Sequence, residues 1–348
     1  MEEPFPLDDR DLQALTMLPR KGQLYRVETF LREAWNDACG IFGAETIVTL
    51  HGTAMLMLKP ELFAARRHEI VLNFVMRHGF RPVAFATLTL TRLMAHEIWR
   101  YQWNKATTER VQLATAMAMA GPSILVIFRD EEPAPAVPAS VRLWSLKGAA
   151  DPRSRKGDEL RSAIPVRNRM IGFVHTSDEP ADMLREIGIV LDVEERADLL
   201  RSVLAQDPGT GERLRRAAGR VASGAAHHDF DVAASWAAIE PALRRWAGAA
   251  PDRSRIVDAL RRHVSGRADG EFLDGRMFFD CLAQAGVPAD GWPAMTVAAE
   301  YIRHEYRDTP PILDAGAIAT VREQWRAAAA ANSFRETATL RRSVSGRP

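Results

Sequence analysis

Cysteine is nearly absent from this chain of 348 residues: Cys39 and Cys281 are the only two, and they lie far apart. Two such thiols build neither a disulfide scaffold nor a paired-cysteine metal site, and they suit a reducing compartment. An excess of one charge is also missing, since 46 Lys and Arg offset 45 Asp and Glu for a net charge of +1. With no strong field of either sign, nucleic acid and membrane surfaces are not expected partners. No stretch approaches the run of about 20 apolar residues that crosses a bilayer. The opening Met1-Glu2-Glu3-Pro4 lacks the basic start and apolar stretch of a secretion signal. These absences together predict a cytoplasmic chain. A glycine-rich phosphate loop, a Ser-His-Asp ordering and a repeat of fixed period are missing as well.

What is present is an ordinary soluble composition, 47% hydrophobic, at a length that suggests two domains. The richness in Ala, Arg and Gly is what a GC-rich bacterial genome would give. Residues 1 to about 20 read as a loose polar arm, and helical spacing predicts a helix from Leu24 to Phe42. Strand patterns occupy 53–59, which reads as buried, 81–90, whose alternation suits one solvated face, 124–128 and 170–174. Helical patterns fill 62–78, 92–120 with a break near 105–108, and 140–147. A polar loop rich in Arg and Lys spans 148–159, long enough in a compact domain to suggest phosphate contact, though a solvated surface loop reads as well. The order β-α-β-α-α-β-α-β-α is that of a split β-α-β unit, an α+β fold with a ferredoxin-like antiparallel sheet and helices on one face.

After Asp192 no strand pattern remains. Asp192 with Glu195 forms a capping box, and helices are predicted near 210–222, 231–247, 252–264, 275–285, 294–306 and 314–331. The expected organisation is an N-terminal arm and helix over 1–50, a sheet domain over 51–191, an all-α helical domain over 192–332 and a basic tail over 333–348. Within the helical part, His227-His228-Asp229-Phe230-Asp231 matches no strong metal spacing and reads as a loop before a helix. His263 and His304 read as surface or packing residues; Trp292, Tyr301 and Tyr306 read as core.

The stretch that organises the chain is Phe173-Val174-His175-Thr176-Ser177-Asp178-Glu179-Pro180, followed by Glu186. It reads as a strand ending on a histidine, then a helix with Pro180 in its first turn and Ser177 or Asp178 as its cap. On local pattern alone the plainer reading is a boundary histidine before a capped helix; the sharper one is a strand-end nucleophile with a helix-borne carboxylate as its orienter.

Six features in order make the span from Thr53 to Leu191 resemble nucleoside diphosphate kinases. They are Lys59-Pro60-Glu61, Gly79-Phe80-Arg81, Gly121-Pro122, the loop Gly148-Ala149-Ala150-Asp151-Pro152 running to Arg161, the signature His175-Thr176-Ser177-Asp178, and Glu186 eleven residues past the histidine. The resemblance implies that His175 takes the terminal phosphate of a nucleoside triphosphate and passes it to a second, diphosphate acceptor. It implies Glu186 as orienter of the imidazole, Ser177 as its support, and Lys59 and Arg161 as the cations that offset phosphoryl charge together with Mg²⁺. ATP or another nucleoside triphosphate is the implied donor, with no resident metal ligands in the chain. Family members form homo-oligomers through this domain, so the resemblance implies a homo-oligomer here, unless the extra helices at both ends of this chain block or replace that packing.

Departures fall on the nucleotide-holding positions. The arginine four residues before the loop glycine is Trp144, the loop threonine is Ala150, and the asparagine three residues before the histidine is Gly172. The lid arginine corresponds to Thr108, and the aromatic that stacks on the base corresponds to Val111. Trp144 could stack on a flat ligand or pack its helix. Arg142, Arg153, Arg155, Lys156, Arg167 and Arg169 lie near enough in sequence to replace lost cations, though a solvated surface position reads as well for each. The reading is therefore a phosphotransferase with a nucleotide donor and a nucleoside diphosphate or other small phosphorylated acceptor. The alternative is a weak or silent nucleotide-binding, regulatory module acting through its helical domain.

Overall fold

The computed structural model describes residues 7–134, 136–164, 168–248, 250–265, 273–313 and 320–330. Its sheet has four strands: β1 (Thr53–Leu58), β2 (Phe80–Leu88), β3 (Ser123–Asp130) and β4 (Val174–Thr176). They lie in the order β2-β3-β1-β4, every pair antiparallel, the arrangement the split β-α-β order predicts. Alternation along β1 and β3 sends Ala54, Leu56, Leu58, Ile124, Val126 and Phe128 to one face and Met55, Met57, Leu125 and Ile127 to the other.

Both faces are covered by helices, not the single face expected. Burial of all six β1 residues is the physical reason, because a strand apolar on both sides must be roofed on both. On the first face lie His68–Arg77 and Thr108–Met119, and the same buried cluster continues into Thr210–Gly224, Val232–Ala247 and Trp292–Tyr301. On the second lie Thr29–Phe42, Arg92–Ile98, Pro180–Val190 and Val193–Ala205. Asp192 caps the last of these through a capping box with Glu195, as its spacing predicts.

Several boundaries differ from the sequence reading. The described part of the arm holds two helices, Asp9–Leu15 and Pro19–Tyr25, with Leu12, Leu15 and Lys21 buried, so it is no loose arm. Leu24 accordingly belongs to the second of these, and the next helix starts at Thr29. The 62–78 pattern splits into Pro60–Ala64 and His68–Arg77 around Arg66, which adopts a positive φ of 57°. The 170–174 strand shifts to 174–176, because Asn168 Oδ1 takes the N–H groups of Met170 (3.0 Å) and Ile171 (3.0 Å) and bends the approach. The 294–306 helix ends at Tyr301, and 302–313 runs on as a strap. Arg167 and the 333–348 tail lie outside the described residues. No described helix is long and apolar enough to cross a membrane.

Candidate active site

His175 sits on the edge strand β4, opposite Met57 of β1. The Pro180–Val190 helix returns across the sheet and sets Glu186 beneath it. Glu186 Oε2 accepts from His175 Nε2 at 2.9 Å and from Ser177 Oγ at 2.9 Å. In the neutral ring this fixes the proton on Nε2 and leaves Nδ1 with its lone pair. The His175 side chain keeps 17% of its surface exposed, while Glu186 is buried. Trp99 meets the imidazole edge-on, with centroids 5.5 Å apart and planes at 81°, which restrains rotation of the ring. The structure brings together His175, Ser177 and Glu186, which the sequence reading singles out, and adds Trp99, which nothing local in the sequence links to residue 175.

The turn before β4 is tight. Phe173 has φ of 58°, and Val174 N–H donates to the Gly172 carbonyl at 2.6 Å. A bulky residue at positive φ stores strain. It is held by long-range packing: the Phe173 ring meets Phe230 edge-on at 5.7 Å, with the Arg67 guanidinium over it. Glu61 Oε1 accepts from Phe173 N–H at 3.2 Å and also pairs with Lys59 Nζ at 2.6 Å, tying the end of β1 to this turn.

Gly172 lies between the two expected cations. A Cβ added there would sit 3.7 Å from Arg161 Nη2 and 3.9 Å from Lys59 Nζ. Both heads therefore flank one spot three residues before His175, as the resemblance implies. Arg161 donates to the carbonyls of Gly148 (3.0 Å) and Val174 (3.5 Å), and its Nε is buried without a partner among the described residues. Burial, with neighbouring Arg155, lowers its pKa to about 10. A nearly buried guanidinium bonded only to carbonyls is under-neutralised, and suits an incoming anion.

Two further groups join them: Lys147, which the sequence reading leaves aside, and Asp178, which belongs to the signature but, like Ser177, is not the helix cap expected there, since Glu179 caps the helix in a box with Asp182. Lys147, the last residue of the Ala139–Lys147 helix, is buried, and burial followed by Arg161 pulls its amine down to about 8. Asp178 is pushed up to about 6 by burial, against the opposing field of Lys147. Neither makes a hydrogen bond or ion pair among the described residues.

The other expected ligands fall elsewhere. Trp144 packs, half-buried, against Val137, Val141, Val321 and Trp325, so its indole serves helix packing. Val111 lies half-buried in the first turn of Thr108–Met119. Arg142 is spent on Asp130 (2.6 Å), the His78 carbonyl (2.7 Å) and the Phe80 ring. Arg153 pairs with Asp151 at 2.7 Å on the surface, and Arg155 braces the 148–161 loop through the Ala149 (3.1 Å) and Ala150 (3.0 Å) carbonyls. Lys156 is exposed. Arg169 reaches Glu305. His228 accepts from Phe230 N–H at 2.9 Å within a local turn, as a loop reading predicts.

With this geometry in view, residues 52–196 match the nucleoside diphosphate kinase family model, which spans well under half of the chain. No curated protein gives a significant match. Solved structures that match part of this chain include the Aquifex aeolicus nucleoside diphosphate kinase, at 18% identity over 41% of this chain and 96% of that chain, TM-score 0.34. Another is an NDP kinase from Pyrobaculum aerophilum, at 17% identity over 41% and 97%, TM-score 0.33. A third is the nucleoside-diphosphate kinase from Borrelia burgdorferi with bound vanadate and ADP, at 17% identity over 41% and 88%, TM-score 0.35.

Proposed function

We propose that the chain is a phosphotransferase working through a phosphohistidine at His175. The carrying observation is the Ser177–Glu186–His175 arrangement, which engages Nε2 and leaves the Nδ1 lone pair for attack, with Lys59 and Arg161 flanking Gly172 three residues upstream. In the first half-reaction the Nδ1 lone pair attacks the terminal phosphorus of a nucleoside triphosphate. The bond from that phosphorus to the bridging oxygen breaks, and the diphosphate leaves with the electron pair. In the second, a phosphate oxygen of the acceptor attacks the phosphohistidine and returns Nδ1 its lone pair. Glu186 supports both steps by offsetting the positive charge that grows on the ring when Nδ1 is bonded to phosphorus. Lys59 and Arg161 offset charge on the transferring oxygens.

Among the described residues no group of three or more His, Cys, Asp or Glu could hold a metal ion. In this reading magnesium arrives on the nucleotide phosphates, which is the usual way this ion enters phosphoryl-transfer sites. Bound there, it would neutralise phosphate charge. The acceptor in this reading is a nucleoside diphosphate or another small phosphorylated molecule, and the location is cytoplasmic.

The test is intact-protein mass spectrometry at mildly alkaline pH after incubation with magnesium and each common nucleoside triphosphate. We expect one added phosphate on the native chain and none on His175→Ala. Phosphate retained in that variant would sink the mechanism. The second reading, a binding or regulatory module without turnover, draws on Trp144, Ala150 and Gly172 standing where the resembled family holds nucleotide. Calorimetric binding of nucleotide with no phosphate transfer would favour it.

A further inference from the structure

Beyond the Trp292–Tyr301 helix the chain crosses the turn at 101–107 as a strap. Thr107 N–H donates to the His304 carbonyl (3.2 Å), Tyr306 N–H to Lys105 (2.8 Å) and Leu313 N–H to Tyr101 (3.2 Å). In the middle of this strap Glu305 Oε1 gathers three cations: Arg110 Nη1 at 2.9 Å, Lys105 Nζ at 3.3 Å and Arg169 Nη2 at 3.4 Å. Among the described residues no other carboxylate pairs with any of the three. The cations come from opposite sides. Lys105 and Arg110 belong to the segment that opens the Thr108–Met119 helix, and Arg169 precedes by three residues the Gly172 flanked by Lys59 and Arg161.

One carboxylate among three cations leaves a surplus of two positive charges in a half-buried place. A single carboxylate is a poor match for that surplus, whereas a polyphosphate carries three or more charges on forked oxygens. We propose that Lys105, Arg110 and Arg169 form a binding site for a polyphosphate group, and that Glu305 is the intrachain anion holding this site closed until the ligand displaces it. The strap then acts as a competitive latch: ligand phosphate takes the cations, and the tie between the 105–110 segment and the loop before β4 is released. This rests on the phosphotransferase reading only in naming the polyphosphate as that of the donor.

The experiment is titration calorimetry on the full chain with inorganic tripolyphosphate and, separately, ADP. Glu305→Gln removes the competing charge and keeps the side-chain shape. We expect it to bind tripolyphosphate about tenfold tighter than the native chain, and Arg169→Gln to abolish the gain when combined with it. A parallel gain for ADP assigns the site to nucleotide; a gain for tripolyphosphate alone supports the site and assigns it to a base-free phosphorylated ligand. Binding unchanged or weakened in Glu305→Gln, with a lowered melting temperature, would overturn the latch and leave Glu305 a structural staple. Should Glu305→Gln fail to fold, Arg169→Gln alone decides: weaker tripolyphosphate binding supports the site, and unchanged binding overturns it. These readouts need no turnover, so a silent His175 and a failed latch are told apart.

Discussion

Lys147 shows how a single side chain can imply a ligand. Its residue is 6% exposed, and no carboxylate lies within ion-pair distance among the described residues. A buried ammonium without a partner is costly, and the cost appears as the amine's pKa falling to about 8 under burial and the field of Arg161. Asp178, Glu186 and Asp182 pull the other way from a distance. An arriving phosphate would supply the missing counter-charge. Lys147→Met should therefore weaken ADP binding about tenfold or more, the worth of one charge-assisted contact, while leaving the Glu186–His175 bond in place. The pH dependence gives a second check. The folded-state pKa lies below the ordinary 10.5, so between about 8 and 10.5 the unfolded chain holds a proton that the folded chain has released. Stability of the ligand-free protein should rise with pH across that window, and anion affinity should fall as pH passes about 8. Both slopes should flatten in Lys147→Met; slopes that persist would assign the titration to another group.

Among elements, the decisive coupling runs from the helical region to the turn before β4. Phe173 holds its positive φ with Phe230 packed edge-on against it, and Phe230 itself takes φ of 61° while meeting Trp292 at 5.1 Å. The turn sets the register of the strand that bears His175. Phe230→Ala should cost about 3 kcal/mol of stability, at the lower end for a buried aromatic. It should also lower phosphohistidine formation with little change in ADP affinity; equal loss of both would argue for general loosening. The same contrast explains what the sequence made legible. His175, Ser177 and Glu186 lie within one strand-turn-helix, so their spacing alone brings them together. Lys59 and Arg161 became readable through short motifs anchored on the strand end and the loop. The Phe173–Phe230 contact and the Glu305 strap link residues remote in sequence. In the strap, backbone pairing with 101–107 overrode a helical pattern that continued past Tyr301. Lys147 stayed hidden because a lysine ending a helix before glycine looks solvated until the fold places it under β1 and β4.

On the scale of the molecule, both ends of the described chain converge on the start of the helix that carries Glu186. Glu179 accepts from Thr16 Oγ1 (2.6 Å), Met17 N–H (2.8 Å), Lys21 Nζ (2.9 Å) and Trp325 Nε1 (3.1 Å). Asp182, its partner in the capping box, accepts from Lys21 Nζ at 2.6 Å and the Tyr25 hydroxyl at 2.7 Å. Burial alone would lower the Lys21 pKa, but the two carboxylates outweigh it and the amine is held well above its ordinary 10.5. A raised folded-state value means that this stabilisation is fully present below 10.5 and is lost only as pH climbs through the higher folded value. Lys21→Met strips one cation from two buried carboxylates, which costs about 3–5 kcal/mol because the remaining charges are uncompensated. The loss should appear as a lower denaturant midpoint, constant from neutral to mildly alkaline pH. If the cost comes from the stranded carboxylates, Lys21→Met combined with Glu179→Gln and Asp182→Asn should recover much of it. If the cost comes from lost docking of the 19–25 helix, the triple variant should be no better than the single one, and the ends would then act on the helix that carries Glu186 through packing alone.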